Sequence, residues 1–450
     1  MAPNRLFNLI SLGCPKNRVD SERILSVMTS AGFVYSDDPS TARVLIVNTC
    51  AFIEPAVEES IDTILDYRAG NKKAFLVVTG CLPLRYRKGL TKAFPEVDLF
   101  VTPDRIGNLP ELLTTSLTRS RFKRSSSRYS AKKMIKGEPG SCLVSLPRMV
   151  TTSGYAYLKI AEGCSRRCRY CTIPSIRGPM HSFDADALEQ EAASLAAQGI
   201  QELVLVAQDL SSYGLERGEK GALSKLIKKI SLIQEIKWIR LMYLHPDAIP
   251  HGLPRLIRES RNVLPYLDIP IQHISASVLK AMGRPWRGDR IRKLIDRLRS
   301  EIPGLVLRTT LMVGYPTEGE KEFRELRDFV VSGEIERVGV FTYSPEEGTR
   351  AQELGDPVPM EVKEARAEEI RSIHSRLSDK RNRARIGAIE DALIEGVSPE
   401  TEFLLQGRVW DQAPEIDGIL YVTAGNAVSG EIHEVRITGS FGSDLFGEIM

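Results

Sequence analysis

Residues Tyr155 to Cys171 read YAYLKIAEGCSRRCRYC, an apolar run followed at once by three cysteines. The run Tyr155 to Ile160 has the length and composition of a buried strand. Cys164, Cys168 and Cys171 then fall within eight residues, just past the end of that strand. Three thiolates this close together can each bind one iron of a four-iron cluster, which leaves the fourth iron open to a small molecule.

Two other interpretations of this triad stay open at this point. A zinc site normally needs a second pair of Cys or His ligands nearby, and His181 is a single candidate. A redox dithiol needs only two cysteines, so the third would be superfluous. The spacing and the position at a strand end favour the iron–sulfur cluster.

The pattern of strand and helix continues beyond the triad. Six apolar runs predict strands: Tyr155 to Ile160, Leu203 to Ala207, Ile239 to Leu244, Leu267 to Ile271, Leu305 to Leu311 and Val338 to Tyr343. Helical patterns separate them, including Asp184 to Gln198 and Glu320 to Val331. Six such units predict a partial or complete parallel (β/α)6 barrel of the TIM type, with its chemistry at the carboxyl ends of the strands.

A second set of cysteines follows three predicted strands near the start of the chain. The strands and the helices between them are Phe7 to Ile10, Ser21 to Ser30, Val44 to Val47, Glu54 to Tyr67 and Phe75 to Val78. Their alternation predicts a doubly wound parallel sheet. Cys14, Cys50 and Cys81 each follow one strand closely, so the topology brings them to one edge of the sheet. We interpret them as a second metal site; the alternative is three structural cysteines that pack as small hydrophobes.

The last part of the chain has a different pattern. Met360 to Arg385 predicts a long charged helix, and Phe403 to Val409, Ile419 to Thr423 and Glu431 to Ile437 predict short strands of a small antiparallel β-barrel. The sequence therefore predicts an α/β chain in four parts. They are an N-terminal three-cysteine domain (residues 1–115), a basic linker (116–150), the central barrel (151–378) and an acidic C-terminal domain (379–450).

Length and composition exclude several classes of protein. With 450 residues, 42% hydrophobic and 26% charged, the chain is neither disordered nor fibrous. It contains no apolar run long enough for a membrane span or a signal peptide, so we expect a cytoplasmic protein without a membrane partner. Seven cysteines in so long a chain indicate metal binding or chemistry rather than a disulfide scaffold, and Cys142 belongs to neither triad.

The net charge of +3 is unevenly distributed. From Ile386 to Met450 there are twelve Asp and Glu against two Arg, a balance of −10, which leaves +13 for the rest because the total is +3. Such an acidic module repels nucleic acid and attracts a basic protein, although a merely soluble surface has the same composition. From Leu112 to Gly137 there is no acidic residue, and basic residues crowd a serine-rich stretch. That stretch predicts a mobile linker or an anion-binding strip that touches RNA.

Cysteines spaced by three and then two residues, with the aromatic Tyr170 before the last, resemble the signature of the radical S-adenosylmethionine (SAM) superfamily. The resemblance implies that Cys164, Cys168 and Cys171 hold a 4Fe-4S cluster whose open iron binds SAM. It also implies that electron transfer from this cluster splits SAM into a 5′-deoxyadenosyl radical. Tyr170 would then lie near the adenine, or else simply fill the core.

Three other positions of the predicted barrel are candidate contacts to SAM. Gln208 follows the second strand and Gln272 the fourth, where amide groups can orient the methionyl or ribose part. Gly314, in the stretch Thr310 to Pro316, resembles the glycine-containing turn of the superfamily beside adenine. Ordinary loop hydrogen bonding or a simple turn explains these residues equally well. We assign no role to His245 or Trp410.

The order of the domains resembles the methylthiotransferase family over essentially the whole chain. In that family the auxiliary cluster, here at Cys14, Cys50 and Cys81, supplies sulfur, and SAM serves as methyl donor and as radical source. The C-terminal module is similar to a TRAM domain. Low-potential electron and sulfur donors are then further expected partners.

The stretches Ser11 to Arg18, Ile269 to His273 and Ala413 to Gly418 resemble the branch of the family that methylthiolates the β-carbon of an aspartate in small-subunit ribosomal protein twelve (uS12). The acidic module agrees with a basic protein substrate. One rival function is methylthiolation of N6-isopentenyl-adenosine in tRNA, whose enzymes have different residues at the first two stretches. A second rival is a noncatalytic zinc-stabilised ribosome-binding adaptor.

Overall fold

The computed structural model describes residues 5–87, 89–122, 133–135, 144, 146–284 and 288–450. These residues form two compact units. The first contains Met1–Thr151, Glu162–Ser165 and Thr172–Phe183, and the second contains Thr152–Ala161, Arg166–Cys171 and Asp184–Met450. Every helix in the described ranges is too short or too polar to cross a bilayer.

A six-stranded parallel sheet forms the centre of the first unit. Its strands are β1 (Leu6–Ser11), β2 (Val34–Tyr35), β3 (Val44–Thr49), β4 (Phe75–Gly80), β5 (Leu99–Val101) and β6 (Lys133–Ile135), in the order β2-β1-β3-β4-β5-β6. Its helices are α1 (Pro15–Ser30), α2 (Glu54–Gly70), α3 (Cys81–Tyr86), α4 (Leu90–Ala93), α5 (Leu109–Phe122) and α6 (Ile173–Arg177). The predicted doubly wound sheet is confirmed.

The central strand β3 explains why this sheet is covered on both faces. All six of its residues are buried. Leu45 and Val47 pack into one core cluster, and Val44 and Ile46 pack into another. Because successive side chains of a strand point to opposite faces, each face of the sheet has its own apolar layer.

Three strands of this sheet escaped prediction. The edge strand β2 has only two residues, both exposed, and β5 has three, so neither gives a periodic signal. The strand β6 and the end of α5 lie within the stretch 116–150 that was predicted as a linker. Most of the remaining linker, including Cys142, lies outside the described residues, and so does the predicted anion-binding role of its basic side chains.

The second unit contains an open parallel barrel of six strands. They are β7 (Tyr155–Lys159), β8 (Glu202–Val206), β9 (Trp238–Leu241), β10 (Val263–Asp268), β11 (Val306–Val313) and β12 (Arg337–Thr342), hydrogen-bonded in sequence order. The main helices around them are α7 (Ala185–Ala197), α8 (Ala222–Ile230), α9 (Leu253–Glu259), α10 (Ala276–Ala281), α11 (Gly288–Glu301) and α12 (Glu320–Val331). The predicted partial (β/α)6 barrel is confirmed.

The fourth barrel strand was placed wrongly. The sequence predicted Leu267 to Ile271, whereas the strand runs over Val263–Asp268. Pro270 cannot donate a ladder hydrogen bond, so the continuous strand ends before it. The chain then makes one isolated bridge between Gln272 and Leu311.

A long helix and a small closed barrel complete the second unit. The helix α13 (Met360–Arg383) agrees with the predicted charged helix. Five strands close the barrel in the order β13-β14-β15-β17-β16: β13 (Ile389–Ser398), β14 (Thr401–Val409), β15 (Leu420–Ala424), β16 (Ile432–Phe441) and β17 (Asp444–Ile449). The strands β13 and β17 were missed because acidic and glycine residues interrupt their apolar pattern.

Buried charges join the small barrel to the large one. Arg408 of β14 lies 2.7 Å from Glu202 of β8, and both side chains are at most 2% exposed. Arg240 contacts the other oxygen of Glu202 at 2.6 Å. Removing one partner of such a pair typically costs about 3–5 kcal/mol, because an unpaired charge stays buried. This network therefore holds the acidic module in a defined place on the barrel.

Candidate functional site

The three N-terminal cysteines lie together at one edge of the first sheet. Cys14 follows β1 by three residues, Cys50 directly follows β3, and Cys81 directly follows β4 as the first residue of α3. The Cys14 and Cys81 sulfurs are close enough to Cys50 to interact with it electrostatically, and the Cys14 sulfur is close enough to Cys81. The topology thus brings together three residues that are far apart in the sequence, as predicted.

Two glycines make this convergence sterically feasible. A Cβ atom at Gly13 would lie 2.6 Å from Cys50 Cβ and 2.9 Å from its sulfur. A Cβ atom at Gly80 would lie 2.3 Å from the Thr49 carbonyl oxygen, and Gly80 has a φ of +91°. The residues before Cys14 and Cys81 must therefore be glycine for the three loops to approach one another.

Buried amide side chains fix the cysteine loops. Asn17 Nδ2 donates to the carbonyls of Leu12 and Thr49, at 2.9 Å each. Asn48 Nδ2 donates to the Asn17 carbonyl at 2.8 Å. The backbone NH of Cys50 donates to Ser60 Oγ at 3.1 Å. The thiols thus project from a preformed frame.

Burial makes the Cys50 and Cys81 thiols harder to ionise. Burial and then the neighbouring Cys81 sulfur raise the pKa of Cys50 to about 11. Burial also raises the pKa of Cys81, although Arg177 acts in the opposite direction. Because the thiolate is the metal ligand, binding of a metal group at these residues releases protons.

The second cysteine triad lies in the loop that follows β7. Cys164 NH donates to the Gly178 carbonyl at 3.1 Å, and Cys171 NH donates to the Cys168 carbonyl at 3.2 Å. Gly163, with a φ of +76°, permits close contact, because its Cβ would lie 2.2 Å from the Pro179 carbonyl oxygen. All six cysteines in the described ranges are free thiols.

Both triads offer only thiolate ligands. Thiolates are the ligands that iron–sulfur clusters take, and each thiolate of a four-iron cluster binds a different iron. A structural zinc site normally has four protein ligands, whereas each triad supplies three. The donor chemistry of both triads therefore fits a four-iron cluster with one open iron.

Tyr170 packs against an apolar cluster that includes Met282, Tyr315 and Tyr343. Burial raises the pKa of its phenol well above the usual value, and the neighbouring Arg284 opposes this shift. Tyr170 therefore fills part of the core at this position, and its contact with adenine stays a prediction.

The other three predicted contacts occupy the expected ends of barrel strands. Gln208 follows β8 by two residues, and Gln272 pairs through its backbone with β11. Gly314 directly follows β11, where a Cβ would lie 2.3 Å from Lys363 Cγ of α13. Packing against this lysine is thus one physical reason for the glycine. Contact of these residues with SAM stays a prediction.

A cluster of charged residues at the barrel mouth was not predicted from the sequence. Arg166, inside the cysteine loop, lies 2.7 Å from Asp209 and 3.6 Å from Asp247. Burial alone would raise the pKa of Asp209, but Arg166 and the Ser211 and Ser212 hydroxyls outweigh it and lower the pKa. The position of Asp209 shortly after β8 could have indicated a site residue. Nothing in the sequence indicated that Arg166 is its partner.

His245, to which the sequence assigned no role, is also buried in this region. Burial, then Arg284 and Arg166, lower its pKa to about 3. The imidazole is therefore neutral at physiological pH. Because its unfolded pKa is about 6.5, the unfolded chain binds more protons between the two values, and this residue reduces stability as the pH falls through that window.

Three family matches divide the chain. Residues 6–102 match Uncharacterized protein family UPF0004, residues 158–330 match the Radical SAM superfamily, and residues 386–450 match the TRAM domain. A solved structure of the radical S-adenosylmethionine methyltransferase TsrM from Kitasatospora setae, with cobalamin and a [4Fe-4S] cluster bound, has a TM-score of 0.55 at 16% identity over 75% of each chain. This likeness supports the fold alone. Fold and matches together define a radical SAM enzyme with a TRAM domain.

Curated relatives narrow the class. Proteins called "Ribosomal protein uS12 methylthiotransferase RimO" are 44% identical in Trichlorobacter lovleyi and 45% in Geotalea uraniireducens, over 98% of this chain and 98% of theirs. The relative of that name in Aquifex aeolicus is 42% identical over 98% of this chain and 96% of its own. The chain belongs to the RimO family of methylthiotransferases.

The glycine at position 80 tests the geometry of the first triad. Gly80→Ala adds a Cβ against the Thr49 carbonyl in a backbone region that costs an alanine about 1–3 kcal/mol. We expect a lower midpoint of thermal unfolding in the metal-free chain, measured by circular dichroism. Gly89→Ala is the control, because Gly89 has a φ of −82° and its Cβ would meet no atom closer than 4.0 Å. Equal midpoints for the two variants would contradict this geometry.

Proposed function

We propose that this chain adds a methylthio group to the β-carbon of an aspartate in ribosomal protein uS12. The observation that carries the proposal is the similarity to RimO proteins over 98% of the chain, which includes both cysteine triads. Activating an aspartate β-carbon is difficult for acid–base catalysis, which suits radical chemistry. Because ribosomes work in the cytoplasm, this substrate also implies a cytoplasmic enzyme.

Each triad would hold one 4Fe-4S cluster. Cys164, Cys168 and Cys171 fit the SAM-binding cluster, and Cys14, Cys50 and Cys81 fit the auxiliary cluster. When bound, the first cluster supplies the electron that splits SAM, and the second supplies sulfur. The glycines before Cys14, Cys81 and Cys164 and the amide of Asn17 support the fit, because they set the loops before any metal group binds.

The barrel mouth would bind and orient SAM. Arg166, paired with Asp209 and Asp247, provides fixed charges of both signs beside the SAM-binding triad. We propose Tyr170, Gln208, Gln272 and Gly314 as contacts to SAM. Burial of the site would exclude water while reactive species exist. The reaction would also require a low-potential electron donor and a sulfur donor.

The four predicted parts would then have separate tasks. We assign the auxiliary cluster to residues 1–115, radical formation to 151–378 and substrate recognition to the acidic domain 379–450. Residues 116–150 would connect the first two of these. These boundaries are proposals about function as well as about structure.

The substrate assignment can be tested by mass spectrometry in cells that lack this gene. Restoring the natural gene should add one methylthio group to uS12 and change no adenosine in tRNA. Cys81→Ala and Cys168→Ala should not restore the methylthio group of uS12, whereas Cys142→Ala, outside both triads, should restore it like the natural enzyme. The purified Cys81→Ala enzyme should still cleave SAM with dithionite, and Cys168→Ala should not.

Two results would contradict the proposed function, the first its substrate and the second the role of the auxiliary triad. A methylthio-adenosine that appears in tRNA while uS12 stays unmodified would support the rival substrate. Normal modification of uS12 by the Cys81→Ala variant would show that the reaction does not require the auxiliary triad.

The acidic domain supplies a surface for a basic protein. Several of its acids are occupied by partners within the second unit, such as Asp411 by Arg337 at 2.9 Å and Asp417 by Arg308 at 3.3 Å. The exposed acids are Asp391, Glu400, Glu402, Glu415, Glu431, Glu434 and Glu448. Phe403, beside Glu402, is 85% exposed. A negative charge next to an exposed aromatic side chain fits a lysine- and arginine-rich partner.

Reversing one of these charges should weaken binding of uS12. Exposed charges contribute up to about 1 kcal/mol, so we expect Glu402→Lys to lower the affinity about two- to fivefold, with a smaller effect at high salt. The measurement is titration of the full-length enzyme with labelled uS12 at two salt concentrations. Glu325→Lys, an exposed reversal on α12, serves as control. The same loss with Glu325→Lys would argue against recognition by the acidic domain.

A further inference from the structure

A buried arginine contacts one cysteine of the auxiliary triad. Arg177 Nε lies 3.3 Å from Cys81 Sγ, and its Nη2 lies 3.2 Å from the same sulfur. The Arg177 side chain is only 3% exposed. Arg177 ends α6 and follows Cys171 by six residues in the sequence. The segment after the SAM-binding triad thus supplies a cation to the auxiliary triad.

The remaining donors of this guanidinium are also engaged. Nη1 lies 3.2 Å from Glu162 Oε2 and 3.6 Å from Asp20 Oδ2. Nη2 donates to Asn17 Oδ1 at 2.7 Å. A guanidinium held by two carboxylates and an amide has little freedom to turn away from the Cys81 sulfur.

Through its hydrogen bond to Asn17, Arg177 is also linked to the loops that carry the other two cysteines. The other end of this amide donates to the carbonyls of Leu12, two residues before Cys14, and Thr49, directly before Cys50. A single arginine–asparagine pair is therefore bonded to all three loops. If Arg177 served only to pair with the carboxylates, its two contacts with the Cys81 sulfur would not be needed.

The SAM-binding triad has a comparable neighbour. Arg284, which donates to the Pro270 carbonyl at 2.6 Å, also lies close enough to the Cys168 sulfur and the Tyr170 phenol to interact with both electrostatically. One thiol of each triad thus has a buried arginine beside it. The two arginines come from different elements, so the arrangement arises twice independently.

We infer that Arg177 is a positioning residue that holds the Cys81 thiolate and raises the reduction potential of the cluster bound by Cys14, Cys50 and Cys81. The inference rests on the proposed function, because it requires a cluster at this triad. Hydrogen bonds to ligand sulfurs and nearby positive charge stabilise the more negative, one-electron-reduced form of a cluster. Loss of Arg177 would also remove a cation from beside Asp20 and Glu162, which moves the potential in the same negative direction.

The test isolates the auxiliary cluster in the full-length chain. Cys164, Cys168 and Cys171 are replaced by Ala in every protein, and the remaining cluster is titrated with dithionite and followed by electron paramagnetic resonance. We expect Arg177→Gln to move the midpoint potential to a more negative value. Arg177→Lys keeps the charge but loses the forked donor. Its midpoint potential should therefore lie between that of the protein with Arg177 and that of Arg177→Gln.

The control is Arg68→Gln, which removes a partly buried arginine of the same unit. Its partners are Asp98 and backbone carbonyls, so the potential should not change. Unchanged potentials in both Arg177 variants would overturn the inference and leave the proposed function standing. If Arg177→Gln fails to retain a cluster, the potential of Arg177→Lys decides alone. Absence of any cluster when Arg177 is intact would instead overturn the auxiliary site in the proposed function.

Discussion

The close approach of three strand-end loops in the first sheet is the constraint on which the proposed chemistry depends. Parallel strands deliver Cys14, Cys50 and Cys81 to one edge, but only glycines at positions 13 and 80 leave room for the loops to meet. Once the loops meet, the Asn17 amide has two carbonyls within 2.9 Å to hold them. A metal group would therefore bind to a frame that the fold has already built.

The second unit meets a different physical requirement, because it must carry buried charge. Arg408, Glu202 and Arg240 form a chain of contacts from the small barrel into the large one, and each side chain is almost completely buried. Such a network is costly to break and fixes geometry more than it adds stability. Within the acidic domain, Asp411 and Asp417 are paired with Arg337 and Arg308, so the composition of the domain overstates the charge available to a partner. The acids of this domain that stay exposed include Glu402, which precedes the exposed Phe403.

The sequence predicted the features that depend on regular patterns. Apolar runs located β1, β3, β4 and all six barrel strands, although Pro270 displaced the predicted fourth strand from its true position. Strand ends predicted that Cys14, Cys50 and Cys81 lie at one edge of the sheet, and cysteine spacing predicted the second triad. Short or charged strands such as β2 and β13 give no clear period, so they were missed. Arg177 and Arg166 were missed for another reason: their partners lie far away in the sequence, and only the folded chain brings them together.

The central claim is that the two triads hold two separate four-iron clusters. Iron and acid-labile sulfide should be measured, together with Mössbauer spectra, in the anaerobically reconstituted chain and in two variants that replace one triad each by alanine. Two separate clusters would give roughly eight irons per natural chain and roughly four in each variant. Zinc without sulfide in the natural chain, or loss of all iron on removal of a single triad, would contradict it.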